Sequence, residues 1–423
     1  MLGIFVNSVR VPEIRKKLLF TAAMLGLYRL GAYIPAPGIN LDAIKSIESS
    51  FSGSNVLGFL NLFSGGSLQR FAIFALGIMP YITASIILQL LQVVVPSLEK
   101  LRKEGEVGQQ KITQYTRYLT VGLALAQSIG YVFLFRTFGN NANTEVVSNF
   151  NFGRVFLIVI TLTAGTVLVM WLGELITQRG IGNGISLMIF ASITARIPHG
   201  VQAWWTNPDQ IFKVMMPFLA IAVIAAIVFI QEGQRRIPVQ YAKRVVGRRM
   251  SGGGSTYLPL RVNMAGVIPV IFAASLMAFP PTVGELIHTN AARDFSVFFN
   301  PNGTAYIIGE SVLIILFTYF YTAVTFNPVE QADNLKKYGG FIPGVRPGRP
   351  TAEYLDRILA RLTFPGALYL AAVAALPTIL INQTSANFFF GGTSILIVVG
   401  VALDTMKQLE AQLMMRNYEG FLK

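Results

Sequence analysis

One stretch of the sequence, residues 61–95, joins a polar, glycine-broken segment to a long apolar run. The polar segment carries Asn61, Ser64, Gly65, Gly66, Gln69 and Arg70. The apolar run, from Phe71 to Val95, is long enough to cross a bilayer, because about 20 helical residues span the hydrocarbon core. Lipid offers no hydrogen-bond partners to broken backbone. We therefore expect a short re-entrant element packed beside a full span, and an ordinary polar outer loop is the alternative.

Composition indicates that the chain is an integral membrane protein. Of its 423 residues, 53% are hydrophobic and only 13% are charged, whereas soluble domains contain about 25% charged residues. The absence of cysteine excludes a disulfide framework, a thiol nucleophile and cysteine metal ligands. The first apolar run, from Leu18 to about Ile34, is longer than a usual signal-peptide core and lacks a convincing cleavage site. We expect it to be retained as the first span.

Ten apolar segments predict ten transmembrane helices. They cover residues 18–34, 71–93, 115–135, 153–173, 184–197, 214–231, 263–283, 306–326, 363–382 and 393–412. The fifth is short, and the tenth becomes amphipathic at Asp404, Lys407 and Glu410. We expect both to face other helices or water inside the bundle, because neither would be stable as a lone helix in lipid.

The distribution of basic residues supports this layout. If the N-terminus is cytoplasmic, most of the 34 lysines and arginines fall in cytoplasmic segments, as the positive-inside rule requires. Two long cytoplasmic loops, at about 232–262 and 327–362, mix basic residues with Tyr, Pro, Gly and β-branched residues. This composition is typical of ordered loops, and we expect a docking surface for an acidic protein face or RNA phosphates. The positive-inside rule alone is the alternative explanation.

No motif indicates an enzyme. The two histidines, His199 and His288, lie in predicted outer loops, and the sequence has no HExxH, GxSxG or P-loop pattern. The glycines of RGIGNGIS, residues 179–186, lack a βαβ context and are interpreted as a tight turn between helices. We expect no catalytic residue, no metal site and no cofactor.

A secondary transporter of a small solute, coupled to ions, is the alternative function. Such proteins contain broken helices, and they usually keep ionisable residues near the membrane midplane. The predicted spans are nearly free of acidic residues, with Glu174 and Glu310 near span ends and Asp404 in the tenth. They are instead rich in isoleucine and glycine, and a hydrophobic constriction excludes water and ions without binding a particular solute.

Six blocks of sequence resemble the SecY family of bacterial protein-conducting channels. They are residues 61–91, 171–190, 235–249, 258–273, 332–349 and 391–404, and they follow the family's order almost from end to end. The resemblance implies an all-α integral membrane protein with ten transmembrane helices in two pseudo-symmetric inverted halves and a re-entrant plug helix. The N-terminal half would cover residues 1–200, with the plug at about 57–70, and the C-terminal half residues 201–423.

The resemblance also implies a function. The family translocates unfolded secretory polypeptides across the bacterial plasma (inner) membrane and releases membrane-protein segments laterally into it. It implies a multi-pass protein with both termini in the cytoplasm, acting as a passive conduit. The implied partners are SecE and SecG as heterotrimer subunits, the SecA ATPase, the ribosome, signal peptides, nascent polypeptide and membrane lipids.

The residues that match the family's functional positions form four groups. The pore ring would consist of Ile78, Ile82, Ile185, Ile189, Ile271 and Ile397. The plug would contain Asn61, Ser64, Gly65, Gly66 and Arg70. The lateral gate, between spans two and three and spans seven and eight, would carry Gln89 and Asn263. Docking of the motor and the ribosome would involve Arg346, Lys243, Arg244, Arg248 and Arg249.

Overall fold

The computed structural model describes residues 11–40, 42–44, 61, 63–141, 144–147, 150–206, 210–241, 244–246, 249–251, 255–286, 303–384 and 392–421. The first half of the chain forms α1 (Pro12–Gly31), α2 (Met79–Val94), α3 (Pro96–Lys103), α4 (Glu106–Asn141), α5 (Phe152–Arg179), α6 (Gly184–Thr194) and α7 (Ile197–Thr206). The second half begins with α8 (Gln210–Glu232), β1 (Gln234–Tyr241), β2 (Arg244–Val246), β3 (Arg249–Ser251), β4 (Ser255–Arg261) and α9 (Ile268–Leu286). It continues with α10 (Thr304–Thr325), α11 (Pro328–Lys337), β5 (Gly340–Phe341), α12 (Arg349–Thr384) and α13 (Gly392–Phe421).

Each of the ten predicted spans overlaps one of these helices. Within the described ranges, six helices are long and apolar enough to cross a membrane by length and composition alone. A seventh is obtained if α2 and α3, which are bent by 98° at a break, are counted together. The described helices are thus those of a membrane protein with several spans. Some of the ten predicted spans coincide with helices that do not, by length and composition alone, count as spans.

The second predicted span begins before its helix does. The prediction begins at residue 71, but α2 begins at Met79, because residues 71–78 form a series of turns. Two backbone conformations explain the turns: Phe71 has a φ of 46° and Gly77 a φ of 57°, and neither is compatible with a right-handed helix. Pro80 then lies in the first turn of α2, where its missing N–H costs no hydrogen bond.

The helices pack as two groups. In the first group, α2 packs on α4 and α5, α4 on α5, and α6 on α1 and α5; in the second, α8, α9, α10, α12 and α13 pack on one another. The main contacts between the groups join α9 to α2 and α4 at one seam, and α13 to α6 at another. A single large cluster of buried apolar side chains extends through both groups.

The two long loops meet in one small sheet of order β4-β1-β5. Antiparallel pairing of β1 and β4 joins Gln234 to Arg261 at one end, and β5 of the second loop pairs with the end of β1. Beneath the sheet lies a separate apolar cluster with Ile237, Val239 and Leu260 from the sheet and Leu355 from α12. The described parts of the loops are therefore ordered, as their composition predicts, but the all-α prediction omitted these strands.

Candidate functional site

Most of the described part of the predicted plug segment is buried inside the protein. Asn61 and Ser67 have no exposed surface, and Ser64 is 2% exposed. Their polar atoms bond within the segment: Asn61 Nδ2 donates to Gln69 Oε1 at 2.9 Å, and the Gln69 N–H donates to Asn61 Oδ1 at 3.1 Å. Ser64 Oγ accepts from the Leu68 N–H at 3.1 Å. The polar segment is stable in this position because its hydrogen bonds are made without water.

Gly65 lies in close contact with residues of α1 and α6. Its φ is 65°, and its carbonyl accepts a hydrogen bond from Arg29 Nη1 at 3.0 Å. A Cβ at this position would lie 2.7 Å from that nitrogen and 3.1 Å from Ser192 Cα on α6. Gly66, with a φ of 88°, has open space around the same position. Both residues need the left-handed conformation, but only at Gly65 would a side chain also collide.

A second arginine anchors the end of the plug segment. The Arg70 guanidinium lies 4.1 Å from the centre of the Tyr33 ring, and that of Arg29 lies 5.6 Å from it. Backbone hydrogen bonds join Ala36 to Phe71 and Ile73 to Ile34, so this end is also attached to the segment after α1. Sequence reasoning did not reveal the partner of Arg29, although a lone charge inside an apolar span is itself a signal of a polar contact.

Five of the six isoleucines predicted for the pore ring are buried in one apolar cluster. These are Ile78, Ile82, Ile189, Ile271 and Ile397, and the half-buried Ile185 packs against the same cluster. They come from both helix groups: the residue before α2, α2 itself, α6, α9 and α13. The plug side chains Phe63 and Leu68 belong to that cluster as well. None of the six is therefore a side chain that points only toward lipid.

Local sequence explains how two of these isoleucines are positioned. Ile78 packs toward α5, where a Cβ on Gly173 would lie 3.7 Å from Ile78 Cδ1, an ordinary van der Waals distance. Ile185 lies in the first turn of α6, whose N-cap residue Asn183 accepts hydrogen bonds from the Ile185 and Ser186 N–H groups. The cap fixes the start of the helix, and with it the direction of Ile185 and Ile189.

The two residues predicted for the lateral gate lie on α2 and just before α9, the two helices that meet at one seam. Gln89 bonds within its own helix, with Nε2 donating to Ser85 Oγ at 3.4 Å. Asn263 is buried before α9, where its Nδ2 donates to the Gly266 carbonyl at 2.9 Å while its Oδ1 has no partner. No described hydrogen bond therefore joins the side-chain amides of Gln89 and Asn263. Across the seam itself, Ser275 Oγ lies 3.9 Å from Met79 Sδ.

The predicted docking residues are described only in part. Arg346 is exposed between β5 and α12. Arg244 and Arg249 lie in the hairpin strands β2 and β3, and Lys243 and Arg248 lie outside the described residues. Arg235 and Arg236 are exposed on β1. Sequence reasoning counted them among the basic residues of the loop but did not name them as docking residues.

Sequence reasoning also missed an ion pair between α4 and α5. Arg117 of α4 donates from Nε to Glu174 Oε1 at 2.9 Å and from Nη2 to Glu174 Oε2 at 2.5 Å. This two-bond geometry is the strong form of an arginine–carboxylate contact. It joins α4 to α5 within the first helix group, so Glu174 has a structural partner. Among the residues that the structure describes, no group of three or more His, Cys, Asp or Glu side chains could hold a metal ion.

Comparison with known proteins places the chain among translocase subunits. The family model described as SecY matches residues 72–406. Protein translocase subunit SecY of Mycobacterium bovis is 48% identical over 441 residues, covering 100% of both chains. None of these matches supports the transporter alternative.

Solved channel structures share the fold. One, described as showing that the plug domain of the SecY protein stabilises the closed translocation channel and maintains a membrane seal, aligns with a TM-score of 0.64 and 20% identity. The second is Sec61 in a canine ribosome-channel complex from the endoplasmic reticulum, with a TM-score of 0.61 and 17% identity. Each alignment covers 93% of this chain and 91% of the solved one.

Proposed function

The chain belongs to the SecY family, and from this membership we propose how its parts conduct and seal. It is a multi-pass membrane protein and a protein-conducting channel. We place it in the bacterial plasma membrane with both termini cytoplasmic. Unfolded secretory polypeptides would pass between the two helix groups, and membrane-protein segments would leave sideways into lipid.

The observation that carries the proposal is the shared burial of the isoleucines and the plug. Side chains from α2, α6, α9 and α13 meet in the apolar cluster that also holds Phe63 and Leu68 of the plug segment. An apolar constriction excludes water and ions because the hydration of a narrow apolar passage is unfavourable. It makes no specific bond, so it can close around polypeptides of any sequence.

The two helix groups would act as the halves of the channel. We assign residues 1–200 to the N-terminal half and 201–423 to the C-terminal half, with the lateral gate at the α2/α9 seam. One contact across this seam, that of Ser275 Oγ with Met79 Sδ at 3.9 Å, is weakly polar. Gln89 and Asn263 lie near the seam with bonds inside their own segments, so parting the groups would break neither of those bonds.

The surfaces of the protein suggest where its partners bind. The β4-β1-β5 sheet, with the exposed Arg235, Arg236 and Arg346, would receive the SecA ATPase and the ribosome, whose acidic or phosphate groups attract arginine. SecE and SecG would complete the heterotrimer within the membrane. Exposed apolar side chains on α8, including Phe218 and Phe229, would face lipid or these subunits. Signal peptides and nascent chain would be the transported ligands.

A crosslinking experiment tests the route of the polypeptide. Because the chain has no native cysteine, an Ile82→Cys variant carries a single thiol at the proposed ring. A stalled secretory precursor should crosslink to this thiol in the assembled translocase. Ile221 of α8 is 66% exposed, so Ile221→Cys is the matched lipid-facing control and should give little crosslink. Equal yields at both positions would contradict the proposed route.

A further inference from the structure

The C-terminal end of α10 contains a carbonyl that its own helix cannot satisfy. In an α-helix, the Val324 carbonyl would accept from the N–H of residue 328. Residue 328 is proline, which has no N–H to donate. Pro328 begins α11, and the last bond of α10 is from the Phe326 N–H to the Thr322 carbonyl. The Val324 carbonyl therefore needs a donor from elsewhere.

Arg102 supplies that donor from the other helix group. Its Nη2 donates to the Val324 carbonyl at 2.7 Å. Arg102 belongs to α3, which follows α2 after the 98° bend and packs on α2 and α4. Val324 belongs to α10, which packs on α9 and α12. The hydrogen bond therefore joins the two helix groups beside the α2/α9 seam, at the end where both long loops emerge.

The charge of Arg102 suits this position. The C-terminal end of a helix carries a partial negative charge, which favours a nearby cation. The adjacent Lys103 points elsewhere, because its Nζ donates to Glu99 of the same helix at 2.7 Å and lowers the pKa of that carboxyl. Two neighbouring cations on α3 thus have different roles in the structure: Lys103 bonds within the helix and Arg102 bonds across to α10.

We propose that Arg102 is a positioning residue that holds the α2/α9 seam closed by its hydrogen bond to the Val324 carbonyl, and thereby sets how strongly a signal segment must bind to open it. The proposal rests on the proposed function of this seam as a lateral gate. Separation of α10 from α3 would leave the Val324 carbonyl without this donor, whereas the other polar contact described across the seam, Ser275 Oγ to Met79 Sδ at 3.9 Å, is weak. Arg102 would therefore raise the threshold for opening without touching the polypeptide.

Two measurements on the reconstituted translocase test the proposal. In the first, Met79→Cys and Ser275→Cys report closure of the resting seam through the yield of a short thiol crosslinker. In the second, a precursor with a weakened signal sequence is compared with its normal form. Arg102→Ala should lower the crosslink yield, and it should raise the weak-to-normal transport ratio by about fivefold, because a charge-assisted bond is lost. Arg102→Lys should restore much of both.

Lys103→Ala is the matched control, since it removes an exposed cation from the same helix without breaking a bond across the seam. It should leave both measurements close to those of the unaltered chain. The proposal is overturned if Arg102→Ala and Lys103→Ala behave alike, or if Arg102→Ala lowers transport of both precursors equally with an unchanged crosslink yield. If the unaltered chain transported neither precursor, the proposed function would fail, while the crosslink yields would still decide whether Arg102 holds the seam.

Discussion

The plug segment and the isoleucine ring lie in the same apolar cluster but are held by opposite kinds of interaction. The plug segment is fixed by directional bonds, such as those of Asn61 with Gln69 and of Arg29 with the Gly65 carbonyl. The ring positions, such as Ile82 and Ile271, contribute only apolar contact through their side chains. The first region is thus positioned by specific hydrogen bonds, and the second by apolar packing.

Under the proposed function, this difference would give one channel two kinds of seal. A hydrogen-bonded segment has a definite closed position, and it leaves that position as a unit when its bonds break. An apolar ring has no bonds to break, so it adapts to whatever passes and closes again. We therefore expect the plug to be sensitive to small polar or backbone changes and the ring to be sensitive only to loss of its apolar bulk.

The largest effect on the plug is expected from Gly65→Ala. The left-handed backbone costs a non-glycine residue roughly 1–2 kcal/mol, and the new Cβ would also approach Ser192 Cα at 3.1 Å. With Ser67→Cys as a buried reporter, the reaction with a membrane-impermeant maleimide should accelerate by about fiftyfold. Gly66→Ala carries the same backbone strain without the collision, so a much smaller acceleration is expected. Equal rates for the two variants would mean that the Gly65 contact does not hold the plug.

A smaller effect is expected from Asn61→Ala. The change removes both hydrogen bonds between Asn61 and Gln69, and loss of a partner by buried polar groups costs about 1–3 kcal/mol. The same maleimide reaction should accelerate by about tenfold. Gln69→Ala keeps the backbone bond to Asn61 Oδ1 and should have the weaker effect. If Gln69→Ala proved the more damaging change, the backbone bond would not be the important one.

The smallest effect is expected in the ring itself, from Ile189→Val. Removing one buried methylene costs about 0.5–1.5 kcal/mol of stability, but the surface that faces the passage stays apolar. Resting ion conductance in a planar bilayer should therefore change by less than about twofold. An increase of tenfold would show that the ring depends on precise shape, and it would remove the contrast with the plug.

The sequence predicted the apolar segments well because helix period and length are local properties. All ten predicted spans meet helices, yet α2 begins at Met79 rather than at residue 71. The apolar run continues through both parts, and only the positive φ of Phe71 and Gly77 separates them. The ordered loops were predicted from composition, but their sheet was not. Its β1–β5 pairing joins residues that lie far apart in the sequence, such as Gln240 and Phe341.

Functional positions were harder to predict than spans. No local pattern distinguishes Ile271, which is buried, from Ile221, which is exposed, so the ring rests on the family resemblance. The bond of Arg102 to Val324 depends on the approach of two helices, and its one sequence signal is the proline that deprives the carbonyl of its donor. Contacts of this kind become visible only when the helix groups are assembled.

The most direct test of the account is the resting ion conductance of an Ile82→Gly/Ile271→Gly double variant in planar bilayers. Loss of two ring side chains should let water and ions into the passage and raise the conductance by about tenfold or more. Ile221→Gly/Ile308→Gly introduces the same helix-weakening glycines at positions that are 66% and 59% exposed, and it should leave the conductance unchanged. If the two double variants conduct equally, the isoleucines do not form the seal.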